Sequence, residues 1–264
     1  MPVIWPTSIR EINNLPDADK QSIYKTLLPD WLFTSFGVDR ETLSVNGEQV
    51  VQFRCPSGSR AVEISVRRTH NDFDPMLYLN MADTFNHQLL VLLVVVNDPE
   101  SPRFNVDVDE YGNSTHLGTT GRNLIAEKAA MRAGLAPGQI RSGLRSFKQA
   151  VPLFESFVRN MGHDLFLIEP LAYHNAIIFE RYGFSYIRGQ LDMQKIDREF
   201  RPGGELHAKL SADRPFRNLE SWRTIRGRSW AIHDGILGHP FTGFQMYKRI
   251  GVHANVNTFP DAIW

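Results

Sequence analysis

The sequence predicts an α/β protein of the α+β kind, with a mixed, mostly antiparallel sheet flanked by helices. Strand-like segments with a two-residue period follow one another between residues 48 and 97. Helical segments alternate with short apolar strands between residues 123 and 196. The chain has 264 residues, which is long enough to bury a full core without disulfides or structural metal ions.

A helix and then a meander of strands are predicted for the N-terminal half. Apolar residues recur at helical spacing from Asp17 to Phe36, and Pro29 inside this stretch predicts a kink or two short helices. Asn46 and Gly47 are typical of a hairpin turn. The strand candidates are Glu48–Arg54, Arg60–Arg68, Pro75–Met81 and Gln88–Asn97.

Two of these strands carry a pattern that predicts their burial. Val62, Ile64 and Val66 alternate with polar or small residues, so one face of that strand is expected to be open to solvent. Residues 91–96 are apolar at every position and include three consecutive valines. We therefore expect them to form a central strand that is buried throughout.

The C-terminal half is predicted to continue with helices and short strands. A strand at Arg103–Val108 comes first, and Pro152 is expected to break the longest helix. The other predicted elements are the helices Asn123–Arg132, Leu144–Met161, Tyr173–Tyr182 and Ser221–Asp234 and the strands Asp164–Glu169 and Phe184–Ile196. Glycine and proline mark loops beyond residue 200, so we expect one domain over residues 1–199 and a C-terminal extension, residues 200–264, that packs on it.

Charge and cysteine content narrow the expected partners and location. Basic and acidic residues both number 29, and this balance argues against a nucleic-acid partner. The one cysteine, Cys55, has no internal disulfide partner, which favours a reducing, cytoplasmic location. We interpret Cys55 as a half-buried packing residue, because no histidine lies near it in sequence to activate a thiolate. The chain start lacks a signal-peptide pattern and the apolar run 89–96 is too short for a membrane span.

The stretch DLFLIEPLAYHNAIIFERYGFSYIRG, Asp164 to Gly189, resembles the closing half of the GNAT superfamily of N-acyltransferases. In that family a strand leads into a short helix that ends in an aromatic residue, a charged pair and Gly-Phe, followed by another strand. The corresponding residues here run from Phe179 to Phe184. The resemblance implies a GNAT-like fold, acetyl-CoA or a longer acyl-CoA as co-substrate, and a small-molecule amine as acceptor.

The resemblance also implies where the acyl-CoA binds. The family holds the pyrophosphate on a glycine-containing loop before a long helix. Candidate loop residues are Arg141, Ser142, Gly143, Leu144 and Arg145, and the segment Gly118–Asn123, also before a helix, stays open as a second candidate. The cleft for the pantetheine arm would be lined by Leu167, Ile168, Asn175 and Phe179.

The candidate catalytic residues lie around the same helix. The family usually has a tyrosine general acid where this chain has Phe179, which cannot donate a proton. Tyr182, one helical turn further on, is the candidate replacement, and Tyr173 and Tyr186 stay open as alternatives. Glu169 at the end of the predicted strand and His174 at the start of the helix are candidate bases for the amine.

A cluster in the C-terminal extension supplies candidate substrate contacts, namely Trp230, His233 and Asp234. Adjacent residues on a helix point about 100° apart, so His233 and Asp234 are not expected to form a catalytic dyad with each other. A metal pair of His233 and His239 is a weaker alternative, because no His-x-x-x-His spacing occurs, and we expect no metal cofactor.

The sequence therefore favours an acyl-CoA-dependent, or acyl-carrier-dependent, N-acyltransferase. The alternative is a catalytically inactive GNAT-like module with a binding or regulatory role, which Phe179 favours. The sequence is compatible with a homodimer, but it contains no feature that specifies one.

Overall fold

The computed structural model describes residues 5–116, 120–144 and 146–264. They fall into two compact units, each assembled from separate stretches of the chain. The first unit comprises Met1–Glu100, Gly143–Ile168 and Tyr247–Val252, and the second comprises Ser101–Ser142, Glu169–Met246 and His253–Trp264. The second unit thus contains residues from both sides of position 200.

The predicted fold class is confirmed: a mixed sheet carries helices around it. Among the described residues, the sheet has seven strands in the order β3-β4-β5-β6-β7-β9-β8. Their bounds are β3 Val51–Arg54, β4 Ala61–Val66, β5 Leu77–Asp83, β6 Leu89–Val96, β7 Leu165–Ile168, β8 Ser185–Arg188 and β9 Gln245–Arg249. A separate hairpin of β1 Ser44–Val45 and β2 Glu48–Gln49 turns at Asn46 and Gly47, whose φ angles are both positive, as expected for this turn.

Strands β3 to β6 form the antiparallel meander that the sequence predicts. Along β4, Val62, Ile64 and Val66 are buried at 1%, 0% and 0% exposure, whereas the residues between them are half-buried. The expected alternation is therefore confirmed. One face of the meander belongs to the core, and the other face is mostly polar along β3 and β4.

Helices of the first unit cover the apolar face of this meander. They are α1 Ile9–Asn13, α2 Asp17–Lys25, α3 Asp30–Ser35 and α5 Phe147–Asn160. Tyr24 of α2 stacks on Phe53 of β3 and on Phe157 of α5, with ring centroids 6.4 and 6.3 Å apart. Pro29 precedes α3 as its N-cap residue, so the prediction of two short helices is correct.

The expected break at Pro152 is wrong. α5 runs without interruption through this residue. Pro152 is the sixth residue of the helix, so its missing N–H and its ring affect a single carbonyl, that of Lys148. One lost bond near the helix start is tolerated because α5 packs its aromatic side chains, Phe154 against Phe166 at 4.9 Å among them.

The second unit is mainly helical. Its helices are α4 Leu124–Arg132, α6 Tyr173–Arg181, α7 Gln190–Phe200, α8 Glu205–Ala208 and α9 Ile225–His233. The expected strand Phe184–Ile196 is wrong in its second half, because Gly189, with φ of 98°, ends β8 and α7 begins. Burial of Met193, Ile196 and Phe200 at helical spacing favours a helix there.

The segment that follows β6 contains no regular strand at residues 103–108. The strand expected at Arg103–Val108 is wrong, since this stretch contributes only an isolated bridge between Val108 and Ser114. None of the helices in the described part of the chain has both the length and the apolarity to cross a membrane.

Candidate functional site

The candidate site of the first unit lies where the parallel strands β6 and β7 part. Their ladder consists of two residue pairs, Leu90 with Leu167 and Val91 with Ile168. β7 ends at Ile168, whereas β6 continues through residues 92–96. The two candidate cleft residues on β7 are thus buried in the short paired part, and the gap opens beyond them.

A β-bulge in β6 marks the point of parting. Asn80 of β5 lies opposite Leu93, but the next residue, Met81, lies opposite Val91, so Leu92 is an extra residue on β6. Bulges redirect side chains and increase local twist. Leu92 is 40% exposed and residues 93–96 are half-buried.

The expectation for residues 91–96 is thus correct in one respect and wrong in another. The strand is central, and Val91 is buried. The expectation of continuous burial is wrong beyond Val91. It assumed that the strand has neighbours on both faces and at both edges, as a run of apolar residues predicts. Here the edge neighbour β7 ends at Ile168 and leaves an apolar stretch of strand partly open.

Backbone groups of β6 point into this gap. The N–H of Asn97 donates to the carbonyl of Met76 at 2.9 Å, on the β5 side. The N–H and C=O groups of successive residues in an extended strand point alternately to its two edges. Those of Val96 and Val94 therefore point away from β5, to the edge that faces β7. The position of Gly143 agrees with this, because a Cβ built on it would lie 3.2 Å from the Val96 carbonyl oxygen.

The N-terminus of α5 comes next along the chain from Gly143. Ser146 is the N-cap residue, yet its side chain makes no capping hydrogen bond. Its Oγ is enclosed and has no partner within residues 5–116, 120–144 and 146–264, and the residue is 8% exposed. A 14-residue helix that begins with an unpartnered hydroxyl has an unused donor beside its positive dipole end.

The other loop residues are placed as follows. In the second unit, Arg141 donates through Nη1 to the carbonyl of Ser101, and the N–H of Ser142 donates to Ser101 Oγ at 3.1 Å. Leu144 is half-buried in the first unit. Arg145 lies outside the described residues, as do Gly118 and Thr119 of the second candidate loop.

The second candidate loop leads into α4, whose N-terminus is already capped. Asn123 accepts from the N–H of Ala126 at 3.1 Å. Its amide nitrogen donates to the carbonyls of Val108 and Asn105 at 3.0 and 3.2 Å. Compared with α5, this helix start has its capping group in use.

The residues of α6 that the resemblance singles out differ in exposure. Phe179 is buried and packs against Phe184 with ring centroids 5.2 Å apart. Asn175 in the first turn and Tyr182 at the C-cap are half-buried. Of the two aromatic residues, only Tyr182 has an ionisable group and partial access to solvent. Its role as general acid stays a prediction.

The two candidate bases lie in different surroundings. His174 is 3% exposed, and its Nδ1 shares a hydrogen bond with Ser229 Oγ at 2.9 Å. Burial lowers the pKa of His174 to about 4, with a smaller contribution from the charge of His233. Glu169 directly follows β7 and is exposed, and its carboxylate accepts from Gln245 at 3.4 Å. Glu169 is therefore the accessible base of the two, and both roles stay predictions.

The candidate substrate residues of α9 take part in a buried polar cluster of the second unit. Trp230 is 2% exposed, donates through Nε1 to the carbonyl of Leu135 at 2.9 Å, and stacks on Phe216 at 5.3 Å. Its indole N–H is therefore already satisfied by the protein. The substrate role of Trp230, His233 and Asp234 stays a prediction.

His233 and Asp234 are held by separate partners, as the helical geometry predicts. His233 Nε2 donates to Glu127 at 3.0 Å. Asp234 accepts from Arg122 at 2.7 Å and from Arg217 at 2.6 Å. Arg122 also donates to Glu127 through Nε at 2.9 Å and thereby joins the two pairs. Burial alone would raise the pKa of Glu127, but the hydrogen bonds from His233 and Arg122 outweigh it and the pKa is lowered.

Sequence reasoning could not find the partners of this cluster, because Glu127 lies 106 positions from His233 and Arg122 lies 112 positions from Asp234. Within the described ranges, no group of three or more His, Cys, Asp or Glu side chains is arranged to hold a metal ion. His239 is exposed, and its Nδ1 contacts the carbonyl of the adjacent Pro240 at 3.0 Å.

Comparison of the chain with protein-family models, with curated proteins and with solved structures finds no match. The function of the chain is therefore inferred from the geometry of the parting strands and of the helix start beyond them.

Proposed function

We propose that this chain is an N-acyltransferase that binds an acyl-CoA, or an acyl group on a carrier, along the open part of β6 and transfers the acyl group to an amine. The observation that carries the proposal is the parting of β6 from β7 at a bulge, next to a helix start that has an unused hydroxyl. Extended pantetheine has amide groups that pair with strand backbone as an added strand does.

The open part of β6 suits such a ligand in two ways. Backbone groups of Val94 and Val96 point into the gap and can pair with the amides of the pantetheine arm. Half-buried apolar side chains at positions 92–96 offer contact to its methylene groups and to an acyl chain. A gap lined by backbone N–H and C=O groups and by apolar side chains is more typical of a ligand channel than of a sheet interior.

The start of α5 suits the phosphates of the same ligand. N-terminal amides and the helix dipole favour anions, and Ser146 Oγ is a further donor at this point. Gly143 presents no side chain, so a phosphate can approach the backbone there closely. These features favour the loop before α5 over the loop before α4, whose N-cap is occupied by Asn123.

The chemistry requires little from the protein beyond positioning. The amine lone pair attacks the thioester carbonyl carbon, the C–S bond breaks, and CoA leaves as a thiolate while the amine loses a proton to a base. A thiol has a pKa of about 8.5, so the thiolate leaves without obligatory protonation. Phe179 at the usual tyrosine position is therefore compatible with turnover, and exposed Glu169 is the candidate base.

Isothermal titration of the full chain with acetyl-CoA, octanoyl-CoA and free CoA tests the proposal. We expect saturable binding of all three and a rise in melting temperature with each, since a ligand that binds only the folded state stabilises it. Absence of binding by any of them contradicts the proposal. Binding without acyl transfer to any amine favours the alternative, a GNAT-like binding module, for which Phe179 in place of a general acid is the supporting observation.

A further inference from the structure

The polar face of the meander carries a compact group of oxygen atoms. Glu63 and Ser65 of β4 lie opposite Asn80 and Tyr78 of β5, so the four side chains occupy adjacent positions on one face. This is the face opposite the buried Val62 and Ile64. We call these four residues the acceptor array.

Two oxygens of the acceptor array lack hydrogen-bond partners. Ser65 Oγ and Asn80 Oδ1 are enclosed, yet neither is hydrogen-bonded within the part of the chain that the structure describes. Enclosed polar atoms nearly always have a partner, so two such atoms on one face point to a donor from outside the chain. The two residues are diagonal neighbours on paired strands, about 7–8 Å apart, which one small group can bridge.

The third oxygen group is the carboxylate of Glu63. Its side chain is 36% exposed, and its nearest cation, Arg54 Nη1, is 3.8 Å away on a side chain that is 79% exposed. An ion pair this long and this exposed is weak. Burial, followed by the charge of Glu63 and the hydrogen bond to it, raises the pKa of Tyr78. The Tyr78 phenol thus stays protonated against the carboxylate.

The floor beside the acceptor array is apolar and reaches the point where β6 parts from β7. Leu93 lies opposite Asn80 and Val95 lies opposite Tyr78, and both are half-buried. Leu93 directly follows the bulge residue Leu92. The array therefore combines unsatisfied acceptors with an adjoining apolar surface next to the open part of β6.

We infer that the acceptor array binds a primary alkylammonium, with its nitrogen at Glu63, Ser65 and Asn80 and its alkyl chain over Leu93 and Val95. An ammonium has three N–H donors and no acceptor, which matches two oxygens without partners and a carboxylate that can accept further hydrogen bonds beside the one from Tyr78. An alcohol supplies one donor, and a carboxylate supplies none and is repelled by Glu63. The inference rests on the proposed function in one respect: the bound ammonium is the acyl acceptor, and it gives one proton to the Glu63 carboxylate before its nitrogen lone pair attacks the thioester carbon.

Isothermal titration of the full chain with n-hexylamine, n-hexanol and hexanoate, without any acyl-CoA, tests the inference directly. We expect saturable binding of hexylamine only. Asn80→Leu and Glu63→Gln should each weaken hexylamine binding roughly tenfold or more, since the first removes an acceptor and the second removes the negative charge that pairs with the ammonium. Glu48→Gln, at an exposed position of the separate β1–β2 hairpin, is the matched control and should leave the affinity within about twofold.

The outcomes separate this inference from the proposed function. Equal binding of the three probes, or unchanged hexylamine affinity in Asn80→Leu and Glu63→Gln, overturns the inference. Circular dichroism and melting curves of each variant ensure that a loss is not due to unfolding. Acyl-CoA titrated into the same variants should bind as it does to the wild type. Hexylamine binding in a chain that binds no acyl-CoA overturns the transferase proposal but supports the amine site.

Discussion

Gly143 lies against the carbonyl oxygen of Val96: a Cβ at position 143 would stand 3.2 Å from that oxygen. This contact joins the loop before α5 to the end of β6, the strand that parts from β7. The separation is tighter than an ordinary van der Waals contact, so a larger side chain would have to displace one of the two segments. The contact therefore makes Gly143 a direct probe of the proposed ligand channel.

We predict that Gly143→Val weakens acetyl-CoA binding at least tenfold, because the valine fills the approach to the backbone and pushes against Val96. Isothermal titration measures the change. Gly121→Val is the matched control, since a Cβ there meets nothing within 4 Å and the residue belongs to the second candidate loop. Loss of acetyl-CoA binding in the Gly121 variant alone would indicate that the phosphates bind at the loop before α4.

Ser146→Ala is expected to weaken acetyl-CoA binding without lowering the stability of the protein. Its Oγ is enclosed without a partner, so removing it should leave the free energy of unfolding unchanged or raise it by up to about 1 kcal/mol. Acetyl-CoA affinity should nevertheless fall about tenfold, because a donor to the phosphates is lost. Thr224→Ala is the control, since Thr224 does cap α9 at 2.9 Å and its loss should destabilise by about 1 kcal/mol. A destabilised Ser146 variant with normal affinity would contradict the assignment.

His174 should make the protein less stable in mild acid. Its pKa falls from 6.5 in the unfolded chain to about 4 in the folded one, so the unfolded state binds the extra proton between these values. Stability from this group is present above pH 6.5 and is lost as the pH falls toward 4. We expect a loss of about 2 kcal/mol between pH 7 and pH 5, measured by urea unfolding. His174→Gln should reduce that loss, and an equal loss in the variant would show that other groups cause it.

Glu127→Gln tests whether the cluster around His233 and Asp234 is structural. Glu127 is 1% exposed and holds both His233 and Arg122, so loss of its charge leaves Arg122 with Asp234 alone. We expect the free energy of unfolding to fall by about 3 kcal/mol, with acetyl-CoA affinity unchanged. Glu110→Gln, at an exposed position, is the control. Normal stability with lost acyl transfer would favour the substrate role predicted for His233 and Asp234.

Local features of the fold could be read from the sequence. The Asn46-Gly47 turn, the two short helices on either side of Pro29 and the alternation along β4 each depend on neighbouring residues. The sequence prediction missed α7 because it joined the few apolar residues of this mostly polar segment to β8, whereas Gly189 separates the strand from the helix.

The candidate site could be predicted only in part, because it depends on register and on distant pairs. The order of elements indicates that β6 and β7 are neighbours, but the length of their ladder depends on which residues pair. The bulge at Leu92 is likewise a property of pairing with β5. The partnership of Glu127 with His233 joins residues 106 positions apart. A helical pattern in α4 gives no sign of which charged residue will turn inward.

The most direct test of N-acyl transfer is the release of CoA thiol from octanoyl-CoA in the presence and absence of n-hexylamine, with the amide product identified by mass spectrometry. We predict amine-dependent thiol release in equal amount to N-hexyloctanamide, and its loss in Gly143→Val. Thiol release that is independent of the amine, or no amide with acetyl-CoA, octanoyl-CoA or longer acyl-CoA on folded protein, would contradict transfer to an amine at the open edge of β6.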